Sequence, residues 1–485
     1  MLRKNITQLI ALSLVLGAAP GCKKKKDSKN PDGQTQTQKA AAQEAKAQAA
    51  AEEDFAKAVA SYDAAMEDGK IEGGECAKTA GAFERVAKEH GKRMQIAQFN
   101  AAAIYEACGD KGKAKSMYEA LAKDNFHLAL NNLGVMYWNE GKTKKAMEYF
   151  EKSVEADKKL AFAARNNLAA GLRDRYTSAD KPDKSVFEKA ELQIQNVLAV
   201  DTSNQNAYEN LARLYYDRGR LTDRSYLLLA NLVVSQAITV LKEEGKESAD
   251  LYNLAGLLRM QEDDQVEALK AFKKATTVDG NHTDANLNIA FISIRFRDYE
   301  TAEKSLEIAL KDPKESQNFE AVLAMGVAKR GLKKYAEAEK FYKKASKLNP
   351  KDPRPYYNLG ILQHEHVSGT KDDSKAQEAV FKVAKGHYKK FVDMAGSGKK
   401  WADLVDDAKG RMLIIDDAIV AFREAEKMAA EAKRLEELEK KQAEEERQRL
   451  LDLEKQALEA EKAAEAAAAE AEKKPADDAK KEGDK

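Results

Sequence analysis

The chain has 485 residues, 82 of them basic and 81 acidic, for a formal net charge of +1, with 34% charged and 7% aromatic residues. That balance excludes bulk electrostatic binding of nucleic acid, which needs a basic surface. Eight prolines suit a helix-rich protein, and three cysteines (Cys22, Cys76 and Cys108) exclude both a disulfide-dense scaffold and a four-cysteine zinc site.

Arg3 and Lys4 precede an apolar run from Ile6 to Leu16, and the small residues Gly17, Ala18, Ala19 and Gly21 lead to Cys22. The run is short for a membrane span and suits a processed export signal. Leu16 to Cys22 resembles a bacterial lipobox, whose Cys is lipidated and becomes the mature N-terminus. The resemblance implies a signal over 1–22 with Cys22 as lipid anchor; a plain secretory signal is the alternative. Each acyl methylene buried contributes about 0.8 kcal/mol, so several chains anchor a protein durably. Lys23, not Asp, follows the Cys, which in the best-known bacterial sorting rule sends a lipoprotein to the outer membrane, facing the periplasm, with the inner membrane as the other outcome. Residues 23–50 hold nothing to bury and are expected to be a flexible tether.

Residues 51–400 repeat themselves. Asn followed by two small or apolar residues recurs at Asn100, Asn132, Asn167, Asn210, Asn253, Asn288 and Asn358, with a degenerate copy at Val322-Leu323-Ala324. Successive copies lie 32, 35, 43, 43, 35, 34 and 36 residues apart. Gly134, Tyr137, Gly141, Ala146 and Phe150 give the fullest pattern; Ala338, Tyr342, Ala345 and Pro350 match its second half. Gly134 and Ala146 let two helices approach, Tyr137 and Phe150 fill the space beside them, and Gly141 permits the turn.

This pattern resembles the tetratricopeptide (TPR) repeat, a helix pair with a period near 34. The resemblance implies an all-α fold: a TPR solenoid of about nine units, forming a right-handed superhelix, followed by a long charged C-terminal helix. The 43-residue intervals carry insertions around Arg173 to Lys184 and Arg220 to Ser225, expected to lengthen helices or turns. In such a stack Cys76 begins a second helix and Cys108 ends the next first helix, so a disulfide between them is expected in an oxidising compartment, with two buried thiols as the alternative. Partners are expected on the concave face, at Asn131, Trp138, Asn166, Arg173, Arg213, Tyr216, Arg259 and Tyr357. Trp, Tyr and Arg are enriched at binding hot spots, and the arginines suit an acidic segment or a free carboxylate. The competing reading is that Trp138 packs on the next repeat and the arginines pair with nearby acids.

Trp401 to Phe422 reads as a closing helix. The stretch beyond it has no Gly or Pro before Pro475, so residues 401–474 are expected to be a capping helix and a long charged helix, and 475–485 a disordered tail. Met428, Leu435 and Leu438 start a heptad seam that Gln442, Glu445 and Arg449 break, which leaves a solvated single helix and a coiled coil both open. No phosphate loop, His-Glu-x-x-His or Gly-x-Ser-x-Gly occurs. His364 and His366 are two apart and, with His387, make a poor metal set. No cofactor, metal, nucleic acid or small-molecule substrate is expected, and no catalysis. The architecture is similar to that of TPR lipoproteins of bacterial envelope machines, such as myxobacterial gliding motility, which implies a membrane-anchored scaffold for other envelope proteins. A pilotin-like chaperone of an outer-membrane secretin or pilus component is the alternative.

Overall fold

The computed structural model describes residues 36–67, 71, 73–371 and 373–471. Cys22 with the expected signal, residues 23–35 and the expected tail lie outside them. Every regular element among the described residues is helical. In chain order they are α1 (Gln36–Ala65), α2 (Gly74–His90), α3 (Gln95–Ala107), α4 (Lys111–Lys123), α5 (His127–Asn139), α6 (Thr143–Ala156), α7 (Phe162–Ser178), α8 (Lys184–Leu198), α9 (Gln205–Leu221) and α10 (Ser225–Glu243). There follow α11 (Ala249–Gln261), α12 (Gln265–Val278), α13 (Thr283–Arg295), α14 (Tyr299–Ala309), α15 (Phe319–Gly331), α16 (Tyr335–Leu348), α17 (Arg354–Ile361), α18 (Ser374–Ala395) and α19 (Ala402–Ala471). From α3 on, the odd-numbered helices through α17 carry the Asn pattern or its degenerate copy, and each is followed by its even-numbered partner. The fold is an all-α TPR solenoid with a long C-terminal helix.

The packing logic is the same from pair to pair. A Cβ placed on Gly134 would lie 2.5 Å from the Phe150 ring, and Gly256 meets Phe272, Gly326 meets Tyr342 and Gly360 meets Tyr388 at the same distance. The missing side chain is therefore what lets the second-helix ring lie flat on the first helix. In five pairs from α3 on, the turn holds a left-handed residue. Gly109 and Gly141 supply it in two early pairs, while Asp263, Arg297 and Lys333 adopt φ of 59°, 59° and 60° in later ones. Asp110, Asp264 and Asp298 then cap the following helix by accepting a backbone N–H three residues on.

The chain divides into two compact units, Met1–Ile289 and Ala290–Lys485. In the first, one buried cluster runs from Ala51 to Leu214 and a second from Tyr208 to Leu258. In the second unit, Val322, Tyr342 and Leu359 centre one cluster, and Tyr388, Phe391, Val405 and Ile415 another.

Two expectations about segments are revised, and the insertions take one of their two expected forms. The tether expected over 23–50 is helical from Gln36, because its Ala, Gln and Glu residues favour a helix with no Gly or Pro to stop it. Arg93 pins this helix by forking onto Glu44 at 2.6 and 2.9 Å. The two insertions lengthen helices: α7 and α9 have 17 residues and α10 has 19, against 13 in α5 and α11. The closing helix and the charged helix are one continuous helix of 70 residues, about 105 Å long at 1.5 Å per residue. Only its start is packed, through Val405, Ala408, Ile415 and Ile419.

Candidate partner-binding face

In the first unit, α5, α7, α9 and α11 touch one another in succession. One side of each is spent on the ring of its own second helix, so the polar residues of the other side meet those of the next first helix. The asparagines form a ladder there. Asn132 Nδ2 donates to Tyr118 Oη at 3.0 Å, Asn131 Nδ2 to Asn132 Oδ1 at 3.1 Å and Asn167 Nδ2 to Asn131 Oδ1 at 2.9 Å. Asn210 Nδ2 donates to the Asn166 carbonyl at 3.1 Å, and Asn288 Nδ2 to Asn253 Oδ1 at 3.0 Å. Asn132, Asn167, Asn210 and Asn288 thus tie neighbouring repeats and satisfy amides that burial would otherwise strand. Asn358 instead donates to the Arg354 carbonyl of its own helix, and Asn100 has no hydrogen-bonding partner among the described residues.

Beside the ladder lies a row of charges of alternating sign. Arg173 Nε is 3.6 Å from Asp217 Oδ2 and its Nη2 donates to Asp174 at 2.9 Å. Arg213 Nη2 donates to Asp250 Oδ1 at 2.7 Å. His282 Nδ1 accepts the Ala285 N–H, so Nε2 carries the ring proton and donates to the same Asp250 oxygen at 3.2 Å. Glu209, buried, accepts from Ser248 Oγ at 2.6 Å and Gln205 Nε2 at 2.7 Å. Burial pushes its carboxyl above the usual range and nearby Asp250 adds to this; burial likewise raises Asp217 against the pull of Arg173.

Donors and acceptors are left over in this row. Arg173 Nη1, Arg213 Nε and the buried Asn166 Oδ1 have no hydrogen-bonding partner among the described residues. The side chains of Arg173 and Arg213 are 19% and 18% exposed, while these unpartnered atoms are themselves buried.

The residues expected to bind partners fall into three groups. Arg173, Arg213 and Arg259 are on this face, with Arg259 on its solvent side and paired to Glu262 at 2.7 Å. Asn131, Asn166 and Tyr216 are buried and engaged in packing or the ladder, because the helices approach too closely to leave them open. Trp138 is a correction: it lies against the next first helix, where a Cβ on Gly171 would come within 3.1 Å of its ring. Tyr357 is another: it belongs to the second unit, its hydroxyl donates to Asp407 at 2.6 Å and its ring packs 5.1 Å from Phe391, so α19 covers it. Sequence reading missed Glu209, Asp217, Asp250 and His282. Asp217 alone had a local signal, four residues after Arg213 on the same helical face.

Elsewhere, Cys76 and Cys108 stand at an S–S distance of 2.02 Å with Cα atoms 6.3 Å apart, joining the start of α2 to the end of α3. The three histidines share no centre. His364 edges against Phe381 and Tyr388, His366 stacks on Tyr335 at 5.2 Å, and His387 lies on Tyr356.

Residues 128–160 match the family model of the tetratricopeptide repeat, and residues 326–367 a model described as TPR repeat. These segments are tetratricopeptide repeats, modules that bind peptides and other proteins and as a rule do not catalyse. Solved structures are similar to part of this chain. One concerns the functional characterization of pilF of Pseudomonas aeruginosa, with 19% identity over 47% of this chain and 94% of that one, at a TM-score of 0.37. Another is a thermophilic TPR protein of Thermus thermophilus, with 16% identity, 42% and 98% coverage and a TM-score of 0.35. A third is YrrB, a TPR protein with an unusual peptide-binding site, with 18% identity, 42% and 94% coverage and a TM-score of 0.29. No curated protein matches the chain.

Proposed function

We propose that this protein is a membrane-anchored scaffold of the bacterial envelope that gathers other proteins into a machine of the gliding-motility kind. It is held on the periplasmic side of the outer membrane through Cys22 and captures an acidic segment or a free carboxylate on the α7–α9–α11 face. The observation carrying the capture is the pair Arg173 and Arg213, each with a guanidinium N–H that has no hydrogen-bonding partner among the described residues. Buried donors without acceptors are costly, about 1–3 kcal/mol each, and a carboxylate partner relieves that. The anchor rests on the lipobox-like end of the apolar run.

The test replaces Arg173 and Arg213 by Gln together, checks the helical spectrum by circular dichroism, and crosslinks intact envelopes for mass spectrometry. The variant is expected to keep its fold and lose the partners that crosslink to α7 and α9. Undiminished capture overturns the face, and capture of a secretin moves the reading to the pilotin-like chaperone. Cys22→Ser is expected to free the chain from the outer-membrane fraction or leave its signal uncleaved; unchanged fractionation with normal maturation removes the anchor.

A further inference from the structure

The second helices of the array face solvent with charge. On α6, for example, Lys144, Lys145, Glu148, Glu151 and Lys152 are all exposed. α10 breaks this rule. Ala230, Val234, Ala237 and Leu241 fill its inner side, as in any pair. Its outer side shows Leu228 at 74% and Leu232 at 63% exposure, and Leu229 is exposed beside them. No charged residue occurs between Arg224 and Lys242, in a chain that is 34% charged. An outward Leu row of this kind marks a docking surface.

The order of residues along the row says what fits it. The outermost positions are Leu228, Leu232, Ser235 and Thr239, all exposed and spaced four, three and four apart, so they form one straight seam. The large side chains occupy its first half and the small hydroxyls its second. Arg220 and Arg224 stand exposed before the seam, with Asp223 between them; Glu243 and Glu244 stand exposed after it, beside Lys242. A second α10 laid antiparallel, with the two-fold axis midway between Leu232 and Ser235, sets Leu228 on Thr239 and Leu232 on Ser235 of the second copy. The same register sets Arg224 against Glu243 of the second copy and opposes the helix dipoles. A parallel pair would instead meet Arg224 with Arg224 and Glu243 with Glu243, and would align the helix dipoles. An anionic membrane surface finds no basic residue within the seam to hold it.

We propose that α10 is a self-association surface, through which two copies of this chain pair antiparallel and two-fold about the Leu228–Thr239 seam. One helix face buries less than the ~1,200 Å² of a standard interface, so the dimer is weak and dissociates on dilution. Tethering both copies to one membrane raises their effective concentration and favours the pair.

Sedimentation velocity of the full chain over a concentration series up to about 100 μM tests this in the range where weak dimers form. A monomer–dimer shift is expected in the wild type. Leu228→Glu with Leu232→Glu is expected to abolish it without changing the helical spectrum, since both side chains are exposed. Arg224→Glu alone is expected to weaken the dimer several-fold, and Arg224→Glu combined with Glu243→Arg to restore it, because the two-fold exchanges the pair. A chain that stays monomeric throughout, or a dimer indifferent to the Leu228 and Leu232 substitutions, overturns the surface. Failure of the charge exchange to restore the dimer overturns the antiparallel register. Binding of the wild type, but not of the Leu variant, to neutral phosphatidylcholine vesicles would assign the face to lipid instead.

Discussion

Glu209 sits buried between Ser248 and Gln205, and both donate to one of its oxygens. Burial raises its carboxyl pKa, so the folded chain holds that proton to higher pH than the unfolded chain. The stability tied to it is complete below the unfolded value and is lost as pH rises through the folded one. Glu209→Gln keeps the accepting oxygen and removes the charge. It is expected to raise the urea midpoint at pH 7 and to lose that advantage at pH 4; a variant weaker at both pH values would show the charge to be fully compensated. Gly134 gives a steric counterpart. Ala there adds a Cβ 2.5 Å from the Phe150 ring, an overpacking expected to cost about 1–3 kcal/mol despite the better helix propensity of Ala. Phe150→Leu in the same chain should return much of that loss in thermal melts. Gly134 and Phe150 were legible in the sequence because their spacing recurs from pair to pair. The row from Arg173 to His282 was legible only for its arginines. Arg213 meets Asp250 37 residues away, and no local period marks which acid a neighbouring repeat will present.

At the scale of elements, most helices could be placed from the Asn copies, and their ends from Gly or Asp at the turns. Where Asp263, Arg297 and Lys333 adopt the left-handed turn, no Gly announces it, and the copies on either side located the break instead. The junction near Arg423 is where the reading divided one element into two. A change from apolar to charged composition looks like a boundary, yet without Gly or Pro nothing ends the backbone hydrogen bonding, so α19 continues. The two halves of that helix should answer differently to the same cut. Ile415 is fully buried against α18, and Ile415→Ala is expected to cost about 2–5 kcal/mol, read as a lower thermal midpoint. Leu438 is 52% exposed, and Leu438→Ala should stay within about 0.5 kcal/mol of the wild type. A large loss at Leu438 would instead mean that the charged half pairs with another helix in solution.

For the whole molecule, a repeat array makes its stability from the intrinsic strength of each pair and its interfaces with the pairs on either side. That is why the period was so readable: each unit solves the same packing problem, so the same residues return. It also confines the reach of any local tie. The Cys76–Cys108 bridge spans 32 residues and links α2 to α3, the first and second pairs of the chain. Closing a loop of that size in the unfolded chain is expected to contribute about 3–4 kcal/mol. Replacing both cysteines by Ser should therefore loosen α1 to α4, where hydrogen exchange is expected to quicken by roughly several hundred-fold as local opening becomes easier. Exchange in α15 and α16 should not move, since those helices belong to the second compact unit. An equal acceleration along the chain would show that the array unfolds as one body. No acceleration in α1 to α4 would show that packing around Phe55, Phe83 and Met94 already holds the first two pairs without the bridge.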